Sequence, residues 1–231
     1  MEGVTDWDDF LGRREVPGIG PARKAQHDEH IMEADGALGR MDLEYLSCLL
    51  PPGESWRMFP RLRERAAYLD IETTGLGRGS PVTVVGIYTG GRRYSLVRGN
   101  DLAGDELSRR LARASILVTF NGAGFDLPML ERHFPGALPR VPHLDLRFAA
   151  RRAGYQGGLK KLEMALGISR PGDVQGMSGE DAVRLWRVWE RDRNRNALRL
   201  LVDYNMSDVV NLEALADILY PQVEKRTLSG S

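Results

Sequence analysis

The stretch Tyr68–Leu76, which reads YLDIETTGL, carries the strongest structural signal in the chain. Its apolar residues are typical of a buried β-strand, and the turn signal at Gly75 ends that strand. Asp70 and Glu72 interrupt the apolar run two positions apart. Because side chains at i and i+2 of a strand point to the same face of a sheet, both carboxylates face the same way. Their repulsion costs energy unless a cation or water compensates it, so the stretch raises the question of whether this pair holds a metal.

The composition is that of a globular domain. The chain has 231 residues, 42% of them hydrophobic and 28% charged, which is enough for one sizeable domain with a short extra segment. The formal net charge is zero, so any binding to nucleic acid depends on local charged patches rather than on the field of the whole protein. The single cysteine, Cys48, excludes an internal disulfide and favours a reducing compartment, and its apolar neighbours predict a buried side chain.

Targeting signals are not evident in the sequence. The N-terminal stretch is acidic and polar and lacks the features of a signal peptide. No apolar run approaches the roughly 18 residues that a membrane span needs. We therefore expect a cytoplasmic protein without a membrane partner.

Strand and helix patterns predict a mixed α/β domain over residues 66–222. Two β-rich runs at 81–90 and 92–99 flank the pair Gly90 and Gly91, which is a hairpin signal. A helix, a continuous apolar strand, a second helix and a short strand follow, before a helical C-terminal part. The order βββαβαβ, followed by helices, predicts three antiparallel strands and then parallel strands in one mixed sheet flanked by helices.

The two ends of the chain differ from this domain. Residues 1–65 are predicted to form a helical N-terminal arm, and residues 223–231 a C-terminal tail. Within the arm, VPGIGPARK at residues 16–24 resembles the loop of a helix-hairpin-helix. A plain turn before a helix that begins at Pro21 is the more frequent structure for such a short motif.

Three further positions extend the acidic pair. Asp126 follows an apolar strand at the predicted start of a helix, where it serves either as a ligand or as an N-cap. Tyr204 and Asp208 lie four residues apart on a helical run and so share a face. Taken alone, these two residues are a packing tyrosine and an exposed aspartate. Taken with Asp70 and Glu72, the aspartates complete a cage of four carboxylates, which suits two Mg²⁺ or Mn²⁺ ions in phosphodiester hydrolysis.

The segments LDIETTGL, FNGAGFD and YNMSD resemble the three exonuclease motifs of the DEDD (DnaQ-like) superfamily. They match D-x-E, N-x₃-[FY]-D and Y-x₃-D in the same chain order. The resemblance covers approximately residues 66–222 and implies a ribonuclease H-like fold with metal-dependent 3′-to-5′ exonuclease chemistry. The C-terminal part is most similar to the YprB-like branch of these proteins.

The resemblance also implies roles for individual residues. The two metal ions would be held by four carboxylates, Asp70, Glu72, Asp126 and Asp208. Tyr204 would orient the attacking water, as in the tyrosine subclass; the histidine subclass would have a histidine where Asp203 stands. The pocket for the 3′-terminal nucleotide would be lined by Thr73, Thr74 and Leu76, and Asn121 would support the site or contact the substrate.

Other polar features have alternative explanations. Asp145 is a possible fifth carboxylate, although capping the following helix is the commoner role. Clusters of basic residues either contact a nucleic-acid backbone or form solvated helix faces, and the sequence does not tell which. These clusters are Arg151 with Arg152, Lys160 with Lys161, and Arg191, Arg193 and Arg195. Trp186 and Trp189 are at helical spacing and are predicted to lie in the core.

The sequence therefore predicts a metal-dependent nuclease that hydrolyses DNA or RNA, most simply as a 3′-to-5′ exonuclease by a two-metal mechanism. The alternatives are a structure-specific endonuclease and a catalytically silent nucleic-acid-binding module. The absence of a P-loop motif argues against a nucleotide triphosphate cofactor. The sequence sets no oligomeric state.

Overall fold

The computed structural model describes residues 7–51, 53–75, 77 and 79–228. The chain divides into two compact units, Met1–Pro51 and Pro52–Ser231. Within the described residues, no helix combines the length and the apolar character that crossing a bilayer would require.

The described part of the first unit is helical, as the sequence predicts. Its helices are α1 (Trp7–Gly12), α2 (Pro21–Arg40) and α3 (Leu43–Leu49). Before α2 the chain makes a tight turn in which the Ile19 N–H donates to the Val16 carbonyl at 3.0 Å. Helix α2 begins at Pro21 as predicted, because proline suits a first helical position, where its missing N–H costs nothing.

One prediction within this unit is wrong. Cys48 is exposed, whereas its apolar neighbours predict a buried side chain. Leu46 is the buried residue of α3. Residues two apart on a helix do not face the same way, so burying Leu46 turns Cys48 toward solvent.

The second unit contains a five-stranded mixed sheet with the strand order β3-β2-β1-β4-β5. The strands are β1 (Ala66–Thr73), β2 (Val82–Thr89), β3 (Arg92–Val97), β4 (Ile116–Thr119) and β5 (His143–Asp145). Strands β1, β2 and β3 are antiparallel, and β4 and β5 extend the sheet in parallel with β1. The hairpin predicted at Gly90 and Gly91 joins β2 to β3, and both glycines have positive φ, as a tight two-residue turn requires.

Seven helices accompany the sheet among the described residues of this unit. They are α4 (Phe59–Leu62), α5 (Gly104–Leu111), α6 (Asp126–His133), α7 (Leu146–Arg152), α8 (Leu159–Leu166), α9 (Gly179–Asp192) and α10 (Arg195–Leu228). Short 3₁₀ turns lie at Ser55–Met58, Arg63–Arg65 and Gly172–Val174. The α/β fold with antiparallel and then parallel strands is the one that the sequence predicts.

The two faces of the sheet are covered by different helices. Leu69, Ile71 and Val85 point to one face, where they form an apolar core with residues of α5 and α6. On the other face, Val84 packs with Trp186 of α9 and with residues of α10. Asp70 pairs with Gly86 and Glu72 with Val84 in the sheet register, so both carboxylates lie on the face that α10 covers. Their predicted common direction is confirmed.

The segment that precedes β1 packs against the last helix of this unit. Trp56 and Phe59 are buried and pack against Tyr220 of α10, with ring centroids 6.0 and 6.1 Å apart. Both residues lie in the compact unit Pro52–Ser231. Helix α10 passes through Pro221 and continues to Leu228, across the start of the stretch assigned to a tail. Val223 is buried, which stabilises this last part of the helix despite the proline.

Candidate metal centre

Three of the predicted carboxylates converge where β1 meets α10. Asp70 and Glu72 project from β1, and Asp208 from the middle of α10. Each offers one oxygen, and these oxygens all lie within 4.8 Å of one another. Glu72 and Asp208 are buried, and Asp70 is partly buried. Such a group of close carboxylates is the donor set that Mg²⁺ or Mn²⁺ prefers.

Asp126 lies beside this group rather than within it. It is the first residue of α6, and its Oδ1 accepts a hydrogen bond from the Ile71 N–H of β1 at 3.1 Å. The N-cap position belongs to Phe125, so the simple capping role is not observed. The negative charge of Asp126 raises the pKa of Asp70 and of Glu72, which shows that it adds to the same electrostatic cluster.

Burial raises the pKa of each carboxyl group in the cluster, and neighbouring carboxylates raise it further. The pKa values of Asp70 and Glu72 lie well above the usual range, first because of burial and then because of neighbouring carboxylates. Burial likewise raises the pKa of Asp126 to about 7 and that of Asp208 to about 6. A bound cation would lower the pKa of all four carboxyl groups and compensate their negative charge, so the cluster has the electrostatic character of a cation site.

Arg170 is a functional residue that the sequence analysis missed. Its Nε donates to Glu163 Oε2 at 2.6 Å, and its Nη1 forms an ion pair with Asp208 Oδ1. Glu163 is itself buried and accepts a hydrogen bond from Asn211 Nδ2 at 2.9 Å. This chain of contacts fixes the orientation of the Asp208 carboxylate, and the guanidinium lowers the pKa of Asp208 against the effect of burial.

Asn205 is the second residue that was missed, although it lies inside the YNMSD motif. Its Nδ2 donates to Asp70 Oδ2 at 2.9 Å and thereby orients that carboxylate. Asn205 lies on α10 and is fully buried against β2, where it faces Gly86. A glycine is required there because α10 approaches the strand so closely that no side chain fits.

The Gly86→Ala substitution tests this close approach. A Cβ at Gly86 would lie 2.2 Å from Asn205 Oδ1 and 2.7 Å from Val209 Cγ2. We expect a loss of about 1–3 kcal/mol in the free energy of unfolding, the usual cost of overpacking, measured by urea denaturation. Gly172→Ala is the matched control, since its Cβ would have no atom within 4 Å. Equal stability of the Gly86→Ala variant and the wild type would contradict this packing.

Tyr204 is packed against the acidic cluster. The residue is buried, and Lys160 Nζ lies 4.8 Å from the centroid of its ring. Burial raises the pKa of the phenol, and the charges of Asp208, Glu72 and Asp70 raise it further. The hydroxyl therefore keeps its proton at neutral pH and remains a hydrogen-bond donor.

Two cavities open beside the cluster, and both are lined by Asp70, Asn121, Tyr204 and Asp208. The smaller, of about 750 Å³, is also lined by the predicted substrate residues Thr73 and Thr74. Leu76, the third residue predicted for that pocket, lies outside the described residues. The larger cavity has a volume of about 1080 Å³.

Asn121 and Asp145 form a support beside both cavities. Asp145 Oδ1 accepts hydrogen bonds from the Asn121 N–H at 2.7 Å and from the Arg147 N–H at 3.0 Å. The latter bond caps α7, which is the structural role considered for Asp145. Asn121 has a left-handed backbone, with φ of 66°, and its Oδ1 accepts from Arg147 Nη1 at 2.5 Å. Asp145 thus holds the loop that carries Asn121.

Comparison with known families agrees with the fold and the acidic cluster. Residues 67–220 match the family model described as RNase H superfamily. The chain belongs to the RNase H superfamily. Among curated proteins, none matches the chain. Membership suggests a nuclease that acts on nucleic acids, and the three converging carboxylates agree with the divalent metals that RNase H-like nucleases use.

Proposed function

We propose that this protein is a metal-dependent nuclease that removes nucleotides from the 3′ end of DNA or RNA. The observation that carries the proposal is the convergence of Asp70, Glu72 and Asp208, whose oxygens lie within 4.8 Å of one another. Buried carboxylates at this distance repel one another strongly unless a cation compensates them. The order and spacing of the three motifs favour the tyrosine subclass of the DEDD exonucleases over other nucleases of the superfamily.

The residues fit Mg²⁺ or Mn²⁺. The three oxygens span a distance comparable to the roughly 4 Å between opposite ligands of an octahedral Mg²⁺ ion. Asp70, Glu72 and Asp208 would hold one ion, and Asp126, with Asp70, would hold the second. When bound, the ions would lower the pKa of the attacking water and stabilise negative charge on the phosphate.

The remaining residues position the reacting groups. The Tyr204 hydroxyl, which stays protonated, donates a hydrogen bond that orients the attacking water. Asn205 and Arg170 hold Asp70 and Asp208 in place. Water then attacks the phosphorus of the last phosphodiester and releases a proton to solvent. The bond to the 3′ oxygen of the preceding nucleotide breaks, and that oxygen takes up a proton from solvent. The products are a nucleoside 5′-monophosphate and a chain with a new 3′ hydroxyl.

The smaller cavity is the best candidate for the 3′-terminal nucleotide. It contains Thr73 and Thr74 and reaches the acidic cluster. Phe125 also lines this cavity and offers an aromatic ring to a terminal base. This arrangement would place the last phosphodiester beside Asp70, Tyr204 and Asp208.

The test is hydrolysis of 5′-labelled single-stranded DNA and RNA oligonucleotides with Mg²⁺, Mn²⁺ or EDTA. We expect a metal-dependent ladder that shortens from the 3′ end. A Tyr204→Phe variant should hydrolyse about ten to a hundred times more slowly, because the ring remains while the hydroxyl that orients water is lost.

Asp203→Asn is the matched control, because Asp203 is the adjacent residue of α10 and pairs with Arg199 rather than with the cluster. It should leave the rate unchanged. Discrete internal cuts would show that the protein acts as an endonuclease rather than as an exonuclease. Binding without any cleavage would favour the silent binding module, and a Tyr204→Phe variant as fast as the wild type would refute the role of the hydroxyl.

A further inference from the structure

The larger cavity is bounded by the end of α7, the loop that follows it and the start of α8. Its volume of about 1080 Å³ exceeds the roughly 300–1,000 Å³ of pockets for drug-sized ligands. It shares Asp70, Tyr204 and Asp208 with the smaller cavity, so the acidic cluster lies between the two. A linear molecule could therefore occupy both cavities while crossing the cluster.

The lining of the larger cavity is strongly basic. It includes five cationic side chains, Arg147, Arg151, Lys160, Lys161 and Arg170. The acidic residues of the lining are Asp70 and Asp208, which belong to the proposed metal centre. Within the part of the chain that the structure describes, Arg151 and Lys161 are exposed and have no carboxylate partner. Unpaired cations at the rim of a cavity are available to an anionic ligand.

Several of the other basic residues noted in the sequence have partners of their own or lie outside the cavity. Arg152, next to Arg151, forms an ion pair with Glu54. Arg191 pairs with Asp192, and Arg193 lies over the ring of Trp189 at 5.3 Å. The sequence does not show which basic cluster faces a ligand, and in the structure Arg151 and Lys161 are the exposed cations of these clusters that line the larger cavity.

Aromatic rings accompany these cations. Phe120 and Tyr155 line the same cavity, and the Tyr155 hydroxyl donates to Gln222 Oε1 of α10 at 3.1 Å, which holds the ring in place. Cations that follow a phosphate backbone, combined with rings on which unpaired bases stack, are the features of single-strand binding surfaces. A duplex would keep its bases paired and away from these rings.

From these contacts we infer that the larger cavity binds the single-stranded nucleic acid that precedes the terminal nucleotide, with Arg151 and Lys161 contacting its phosphates. The inference rests on the proposed function and extends it. The substrate is a strand of several nucleotides, held in the larger cavity while its last nucleotide lies in the smaller one. Dinucleotides and small phosphodiesters lack the phosphates that these residues contact.

The test uses the full chain and a double variant, Arg151→Gln with Lys161→Gln. Fluorescence anisotropy measures the binding of a 5′-labelled oligothymidylate of about 20 nucleotides in EDTA, which prevents metal-dependent hydrolysis. The logarithm of the binding constant falls linearly with the logarithm of the salt concentration. Loss of two phosphate contacts should make that slope shallower by about 1.4 and weaken binding about twentyfold at 0.1 M salt. The control is Arg191→Gln with Arg195→Gln, two exposed arginines outside the cavity lining, which should bind as the wild type does.

Hydrolysis of a small chromogenic ester, bis(p-nitrophenyl) phosphate, with Mn²⁺ separates this inference from the proposed function. We expect the wild-type protein to hydrolyse the ester, which does not reach Arg151 or Lys161 and therefore reports on the metal centre without the binding surface. One outcome separates the two proposals: the double variant binds the oligonucleotide more weakly than the wild type, but neither protein hydrolyses the ester or the oligonucleotide. That result would support the binding surface and refute the nuclease. Equal oligonucleotide binding by the double variant and the wild type, or no binding by the wild type, would overturn the inference even if the ester is hydrolysed.

Discussion

Replacement of Asp70 by asparagine is expected to lower the rate of oligonucleotide hydrolysis about 10²–10³-fold, the usual effect of removing one electrostatic group from an active site. Asp70 is one of the three converging carboxylates, and it lines both cavities. The amide keeps the size of the side chain and can still accept the hydrogen bond from Asn205, so the change is one of charge. Single-turnover hydrolysis of a 5′-labelled oligonucleotide in Mg²⁺ measures the effect.

The melting temperature of the same variant shows whether its loss of hydrolytic activity comes from unfolding. Without metal, the Asp70→Asn protein is expected to melt at the wild-type temperature or above it, because one of the mutually repelling carboxylates is gone. Asp203→Asn removes a charge from the exposed side of α10 and should change neither the rate nor the melting temperature. Full activity of the Asp70→Asn protein would exclude this cluster as the site of catalysis.

The stability of the metal-free protein is expected to fall as the pH rises from about 4 to about 7. Asp126 and Asp208 have pKa values raised from 3.8 to about 7 and about 6, and those of Asp70 and Glu72 are also raised. Between the unfolded and the folded pKa values, the folded state binds more protons than the unfolded state. The stabilisation that these groups contribute is therefore complete below about pH 4 and is lost as pH rises through the folded pKa values.

Thermal melting of the protein in EDTA across this range measures the loss. Each unit of raised pKa corresponds to about 1.4 kcal/mol, and a chain of this size loses about 2–4 °C per kcal/mol, so we expect a fall of at least 5 °C. Burial lowers the pKa of His143, and this shift makes the stability rise with pH, opposite to the effect of the carboxyl groups. A variant that removes one of the carboxyl groups is therefore needed to separate the two effects. Asp126→Asn keeps an oxygen for the Ile71 N–H and should flatten the curve.

Addition of Mg²⁺ at about pH 7.5 should restore much of the stability that the metal-free protein loses, because the ion binds the folded carboxylates and not the unfolded chain. A wild-type melting temperature that rises steadily with pH in EDTA, with the same slope in the Asp126→Asn protein, would contradict the raised pKa values on which this prediction depends.

The parts of the site that lie in short segments could be predicted from the sequence. Side chains alternate between the two faces along β1, so Asp70 and Glu72 point to the same face of the sheet, and the pairing of β1 with β2 confirms this. The paired glycines set the hairpin between β2 and β3. Helical spacing sets the common face of Tyr204 and Asp208, both of which line the two cavities. Each of these features follows from backbone geometry within a few residues.

The supporting residues could not be predicted in this way, because their contacts join distant parts of the chain. Arg170 reaches Asp208 from an irregular segment that has no periodic pattern. The role of Asn205 depends on the close approach of α10 to Gly86, which only the packed structure reveals. The orientation of Asp126 likewise depends on a long-range contact, the hydrogen bond from the Ile71 N–H.

The arrangement of the basic residues is a further case. Arg151 and Arg152 are neighbours in the sequence, yet one lines the larger cavity and the other pairs with Glu54. The difference arises because Glu54 lies in the segment whose Trp56 and Phe59 pack beside α10. Only the packed structure, in which Glu54 reaches Arg152, shows which arginine is available to a ligand.

Calorimetric titration of Mn²⁺ into the protein at about pH 7.5 tests the central claim most directly, since it measures metal binding independently of any substrate. The wild-type protein should show saturable binding, the Asp70→Asn variant should lose it, and the Asp203→Asn variant should retain it. Absence of saturable binding to the wild type, or equal binding by the Asp70→Asn variant, would contradict the assignment of this cluster as a metal centre.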